Sequence, residues 1–229
     1  MGFLIVGVIL AGSVLAAVPA YVLDWIRRDA SPVLFHVDTR ARSVALTIDD
    51  GPSDATGEIL DILAEFDVRA TFFVIGEQVR AHPELVRRLL AEGHELGHHM
   101  MVDQPSIDLP PETFRDRFEE MAGILDELGG SRFFRPASGW YDDRMVDEAA
   151  SRGYRTVLGS VYPFDAQLPF PTFASWFVRS RVGPGSIVVL HDGPARGLRT
   201  ARVLRDVLPD LLARGYRVVG LSELTGAAG

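Results

Sequence analysis

The stretch TIDDGPS, residues 47–53, sets two carboxylates side by side, Asp49 and Asp50, where an apolar run gives way to a Gly-Pro turn. Adjacent carboxylates repel, and Asp and Gly are ordinary turn formers, so a solvated turn is the plain reading. A bound cation is the chemical one, because it offsets the repulsion and lets two acids do different work. A second cluster, HHMMVD at 98–103, holds His99 and Asp103 four residues apart. On a helical turn that spacing puts the imidazole and the carboxylate on one face. With Asp50 the set becomes one nitrogen and two oxygen donors, and three protein donors plus water is the pattern of a catalytic metal centre. Arg135 in RFFRP, and His191 with Asp192 in VVLHD, also close apolar runs. His94 and His98 read as helix-end or surface histidines rather than ligands.

The elements that must position these residues alternate. Short β-rich or continuous apolar runs (43–48, 70–76, 94–99, 132–136, 154–160, 186–192 and 216–224) are separated by segments of helical periodicity (55–66, 82–93, 110–130, 142–153, 170–182 and 199–215). In 55–66, Ile59, Ile62, Leu63 and Phe66 form one stripe. Apolar strands without polar alternation, each followed by a helix, imply a parallel sheet covered on its faces. The fold class is therefore α/β, a distorted (β/α) barrel of about seven parallel strands or an open doubly wound sheet. Asp49, Asp50, His99, Arg135 and His191 all fall at the carboxyl ends of such strands, which converge on one rim and host the active sites of these folds.

A chain of 229 residues suits one such domain. The net charge of -8 argues against nucleic acid as a partner. With no cysteine, disulfides, thiolate metal sites and cysteine nucleophiles are excluded. From Gly2 to Leu23 there is no charged residue. As a helix that stretch would rise roughly 33 Å, enough to cross the hydrocarbon of a bilayer. The expectation is an N-terminal hydrophobic helix within residues 1–28, serving as a membrane anchor through residues 2–23 or as a signal segment. The absence of Lys or Arg before the apolar run favours the anchor. Residues 29–42 read as a lead-in, and 43–229 as the catalytic domain.

Five motifs, taken in order, resemble the polysaccharide deacetylases, the NodB-homology or carbohydrate esterase family four. TIDDGPS resembles T-F-D-D-G-P, and ATFFVIG matches the second strand. GHELGHHMMVDQPS resembles G-H-E-I-G-N-H-T-x-x-H-P, FFRPASG resembles F-R-P-P-Y-G, and PGSIVVLHD resembles P-G-S-I-V-L-L-H-D. The resemblance implies a metal-dependent hydrolase that removes N-acetyl groups from amino-sugar glycans such as chitin-like oligomers or peptidoglycan. It implies Asp49 as the general base, Asp50, His99 and Asp103 as metal ligands, and Arg135 as the residue orienting the base. Ser138 would donate its backbone N–H to the oxyanion, His191 would be the general acid, and Asp165 would support His191. The cofactor it implies is a divalent ion, zinc first, with manganese, cobalt or nickel as alternatives.

The chain departs from the pattern at four places. Asp103 stands where the family has a histidine ligand, which hardens the site. Ala137 and Ser138 stand for Pro-Tyr, and Gly159 and Ala166 stand for two tryptophans. Trp140 and Tyr141 are the aromatics left to meet a sugar. Two other functions use the same residues, an O-acetyl esterase and a catalytically silent glycan-binding domain. A glycan substrate and the apolar N-terminus together place the protein in the cell envelope, membrane-anchored or exported.

Overall fold

The structure, a computed structural model, describes residues 32–193 and 195–226. The anchor or signal expected over residues 1–28 lies outside them, as do residues 29–31 of the lead-in. Among the described residues no helix is long and apolar enough to cross a membrane.

From Val33 onward the chain forms one compact unit. Among the described residues it holds seven strands: β1 Ser43–Asp49, β2 Thr71–Val74, β3 Glu95–His98, β4 Phe133–Phe134, β5 Arg155–Thr156, β6 Ile187–His191 and β7 Arg217–Val219. The helices among the described residues are α1 Thr56–Glu65, α2 Gly76–Ala81, α3 Pro83–Ala91, α4 Pro111–Leu128, α5 Asp143–Ser151, α6 Pro171–Arg181, α7 Gly197–Ala213 and α8 Leu221–Thr225. Every strand pairing is parallel, in the order β5-β4-β3-β2-β1-β6, with β7 on β1. Beyond β5 the chain bridges back to β6 at Val161 and Val188, so the curled sheet meets itself. This is the expected distorted barrel.

Strand alternation sorts the side chains into two cores. Val44, Leu46, Ile48, Phe72, Val74 and Phe134 face the helices and pack against stripes such as Phe114, Phe118, Met121 and Leu125 of α4. Ala45, Phe73, Phe133 and Ile187 face inward, where they meet Leu34, Val157 and Leu221. The inward column of β1 runs Ala45, Thr47, Asp49. That of β6, in register with it, runs Ile187, Val189, His191. Apolar burial at the floor thus leads to polar chemistry at the rim.

Three expectations need correction. The last apolar run, expected as a strand through residue 224, ends at Val219, and Leu221–Thr225 is helical. The run at 70–76 stops at Val74 because Gly76 already begins α2. His94 and His98 are not surface residues. Both are buried, His98 stacking on Phe118 at a ring separation of 4.0 Å and hydrogen-bonded to its carbonyl at 3.0 Å. Burial pushes His94 down to about 4 and His98 to about 3, so both are neutral core side chains.

The two loops that frame the rim are clamped by Asp192. Its fully buried carboxylate accepts from Ser53 Oγ at 2.5 Å, from Thr56 Oγ1, and from the N–H of Gly193 at 2.7 Å. Gly51 is needed here, since a Cβ on it would lie 2.7 Å from Asp192 Oδ2. Asp192→Ala leaves two hydroxyls and an N–H without their buried acceptor. It should lower the unfolding free energy by on the order of 3 kcal/mol, measured by urea denaturation. A loss under about 1 kcal/mol would show that the clamp does not hold these loops.

Candidate active site

Asp49 is the last residue of β1, buried, with its inward side chain fixed by one partner. Arg135 Nη1 donates to Asp49 Oδ1 at 2.5 Å and to Thr47 Oγ1 at 2.8 Å. The same guanidinium donates from Nε to the Val157 carbonyl at 3.2 Å and from Nη2 to the Leu158 carbonyl at 2.5 Å. It lies 4.1 Å over the Phe73 ring. These contacts hold the Arg135 guanidinium in place, and Asp49 takes its orientation from it.

Asp50 leaves the strand in the left-handed region, at φ 71. That conformation costs a non-glycine residue about 1 kcal/mol or more. It frees the second carboxylate from strand alternation, which would have sent it to the helix side. Asp50 Oδ1 faces His99 Nε2 at 3.2 Å. His99 lies just past β3, buried, and its Nδ1 is 2.7 Å from the Arg135 carbonyl oxygen. A carbonyl only accepts, so Nδ1 carries the proton and Nε2 points at Asp50. Arg135 therefore serves both acids, Asp49 through its side chain and Asp50 through the histidine its backbone orients. Burial acts to raise the Asp50 pKa, but His99, with His191 and Arg196, brings it down to about 2. Burial disfavours the His99 imidazolium, and the Asp49 and Asp50 carboxylates outweigh it, holding that pKa above the ordinary value.

His191 ends β6 on the same rung as Asp49, the two being direct partners in the parallel ladder. Asp165 holds it twice: Oδ2 accepts from the His191 backbone N–H at 2.8 Å and Oδ1 from ring Nδ1 at 3.0 Å. Nε2 is then the ring position left for exchange with a substrate. Burial disfavours the charged ring, but the Asp165 hydrogen bond and the Asp49 and Asp50 charges raise its pKa overall. Tyr162 stands edge-on to the His191 ring at 5.5 Å. Ser138 sits in the exposed turn after Arg135 at φ 69, and its N–H takes no acceptor among the described residues.

Asp103 is the expected site residue that is not brought in. His99 and Asp103 are not on a helical turn: Met100 adopts φ 70 and the chain then runs through bends. Asp103 is exposed, and among the described residues no three His, Asp or Glu side chains gather as a metal-ligand group. Asp50 Oδ1 and His99 Nε2 converge as two candidate donors, and no third protein donor joins them among the described residues. Asp192, Tyr162 and Arg196, whose guanidinium bonds Asp50 Oδ2, are site residues whose roles sequence reasoning missed. Arg196 carried no motif signal, and Tyr162 lies three residues before Asp165 in VYPFDAQ, residues 161–167.

The family model for polysaccharide deacetylase matches residues 36–157. The peptidoglycan-N-acetylglucosamine deacetylase of Bacillus cereus is 34% identical over 215 residues, covering 87% of this chain and 97% of its own. The chain belongs to the polysaccharide deacetylase family. A chitooligosaccharide deacetylase of a Bradyrhizobium strain is 33% identical over 198 residues, 80% of this chain and 90% of its own. A solved peptidoglycan N-acetylglucosamine deacetylase, in complex with 4-naphthalen-1-yl-N-oxidanyl-benzamide, superposes with a TM-score of 0.81 at 28% identity, over 86% of this chain and 94% of its own. Deacetylases of this family generally depend on a divalent metal ion.

The His191–Asp165 pair yields a signed pH dependence. Because the folded pKa of His191 is raised, the pair's stabilisation is present in full below the unfolded histidine pKa of about 6.5. It is lost as pH rises through the folded value. Asp165→Asn should lower the His191 midpoint in an NMR titration and reduce the fall in thermal stability across that range. An unchanged or higher midpoint would show that Asp165 does not set the charge on His191.

Proposed function

We propose that this polysaccharide deacetylase is a hydrolase that removes N-acetyl groups from amino-sugar glycans, with Asp49 as general base and His191 as general acid. The observation that carries the reading is the shared rung: Asp49, held by Arg135, and His191, held by Asp165, are neighbours at the rim of one sheet. Two groups of opposite task, each locked by its own partner, are what amide hydrolysis needs.

Asp49 accepts a proton from the attacking water as its oxygen bonds to the acetyl carbon. The N–H of Ser138 donates to the developing oxyanion. His191 Nε2 then gives its proton to the sugar nitrogen as the C–N bond breaks, since an amine leaves only when protonated, and acetate departs. Asp50 and His99 are the residues that would hold a divalent ion, which would supply Lewis acidity toward the carbonyl and the water. Zinc suits one imidazole and one carboxylate, and manganese, cobalt or nickel are the alternatives. Asp103 remains a ligand only if its segment moves onto the pair.

The substrate class follows the relatives, glycans of N-acetylglucosamine. Tyr162 beside His191, and the exposed Trp140, replace the aromatic surface lost at Gly159 and Ala166. Action at the envelope, with residues 2–23 as anchor or export signal, belongs to the same reading. The protected His191 proton favours the amide over an O-acetyl ester, because an alcohol leaves with less help.

The test is acetate release from N-acetylglucosamine oligomers and peptidoglycan by protein loaded with zinc or manganese, with and without chelator. Metal-dependent release is expected. Asp49→Asn should lower kcat by about 10²- to 10⁴-fold while metal content is kept. His191→Ala should reduce turnover of the amide far more than that of an O-acetylated glycan. Wild-type rates in Asp49→Asn would remove the base assignment, and release that chelator leaves untouched would remove the ion.

A further inference from the structure

Exposed apolar side chains cluster on α6 and the loop before it. Of the seven large apolar side chains exposed among the described residues, four fall between 168 and 176: Leu168, Phe170, Phe173 and Trp176. Phe170 is 61% exposed and Trp176 53%. The inner face of α6 is already packed. Ala174 and Val178 join the core there, and Ser175 Oγ donates to Asp206 Oδ2 of α7 at 3.0 Å. Phe173 and Trp176, three residues apart, share the outer face, with ring centres 5.7 Å apart. A cluster of this kind on a folded domain marks a contact surface. We infer that this face of α6 is an interfacial docking surface that seats the folded domain on a bilayer with anionic headgroups. The inference builds on the envelope reading above and adds a second membrane contact, made by the domain itself.

Three observations select the bilayer. The first is charge. From residue 166 to 191 there is no Asp or Glu, in a chain with 31 acidic residues and a net charge of -8. Arg179 and Arg181 stand exposed at the end of α6 within that run. Arg214 Nη1 donates to the Arg179 carbonyl at 2.9 Å and brings a third guanidinium to the same helix end. An anionic surface repels the acidic chain as a whole but attracts this stretch. The second is the chemistry of the face. Trp and Phe rings next to Arg suit a membrane interface, where rings enter the acyl boundary and guanidinium groups reach the phosphates. A sugar needs polar partners around a stacked ring. From Leu168 to Trp176 the exposed side chains include one polar group, Thr172.

The third is where the chain enters. The first described residues run along the turn that follows α6: His36 bridges Ser186, and the Val37 N–H bonds the Gly185 carbonyl at 3.0 Å. Eight residues, 24–31, separate the uncharged stretch 2–23 from the described chain, and they span at most roughly 30 Å. An anchor in that stretch keeps the α6 side of the domain within reach of the same bilayer. The face also adjoins the catalytic rim. Phe173, Phe177, Phe164, Tyr162 and His191 follow one another in ring contact, at 6.1, 6.0, 5.3 and 5.5 Å. Docking therefore brings the rim to glycan close to the membrane.

The chain has three tryptophans, so Trp25→Phe with Trp140→Phe leaves Trp176 as the sole reporter. The full chain carrying both changes is mixed with phosphatidylcholine vesicles, with and without phosphatidylglycerol, whose acyl chains are brominated. Trp176 emission should shift to the blue and be quenched, more strongly with phosphatidylglycerol and less in high salt. Phe170→Ser with Phe173→Ser should largely abolish the quenching. Arg179→Glu with Arg181→Glu should remove the dependence on phosphatidylglycerol, weakening this contact by about tenfold or more, and keeps the test open if the serine pair fails to fold. Unshifted, unquenched Trp176 in protein that sediments with the vesicles would overturn the docking surface and leave the envelope reading intact. Protein that neither sediments nor is quenched would overturn both. A shift produced by N-acetylglucosamine oligomers instead of lipid would make the face a glycan platform, and a blue emission without lipid that fades on dilution would put a second copy there; either overturns the inference.

Discussion

Two negative charges at the end of one buried strand constrain the whole site. Asp49 and Asp50 are adjacent, both largely withdrawn from water, and their repulsion is not screened by solvent. The fold answers by separating them in direction and giving each its own cation. The left-handed backbone at Asp50 makes the separation. Arg135 compensates Asp49, while His99 and Arg196 compensate Asp50. The two carboxylates thereby stay ionised side by side and point to different partners.

Positioning depends on few contacts used more than once. Arg135 holds Asp49 by its side chain and His99 by its carbonyl, so the strand-end carboxylate and the buried imidazole share one support. Asp165 holds His191 by backbone and ring. Asp192 ties the turn after β1 to the loop after β6, the two segments that carry Asp50 and Arg196. Parallel pairing does the rest, by placing Asp49 and His191 on one rung. A rigid lower barrel packed with Phe73, Phe133 and Ile187 supports a polar rim whose groups are already oriented.

Much of this was legible in the residues. Continuous apolar strands alternating with helical stripes indicated the parallel sheet, and the unusual residues at strand ends indicated the rim. The contact of Asp165 with His191 was readable only through family resemblance, because a loop carboxylate has no signature of its own. The place of Asp103 was not legible, for a local reason. Four-residue spacing implies a shared face only in a helix, and Met100 at φ 70 breaks that condition, leaving Asp103 outside. His98 looked exposed beside His99, yet strand alternation sends it to the helix side, against Phe118. Arg196 was invisible because its contact with Asp50 spans 146 residues of sequence.

The central claim is that Asp50 and His99 share a divalent ion. X-ray absorption at the metal edge of zinc-loaded protein, compared with Asp50→Asn and His99→Ala, tests it most directly. A zinc shell containing one imidazole nitrogen and carboxylate or water oxygens, at about 2.0–2.2 Å, is expected in the unaltered chain and should be lost in both variants. An identical shell in all three proteins, or one without imidazole in the unaltered chain, would contradict it.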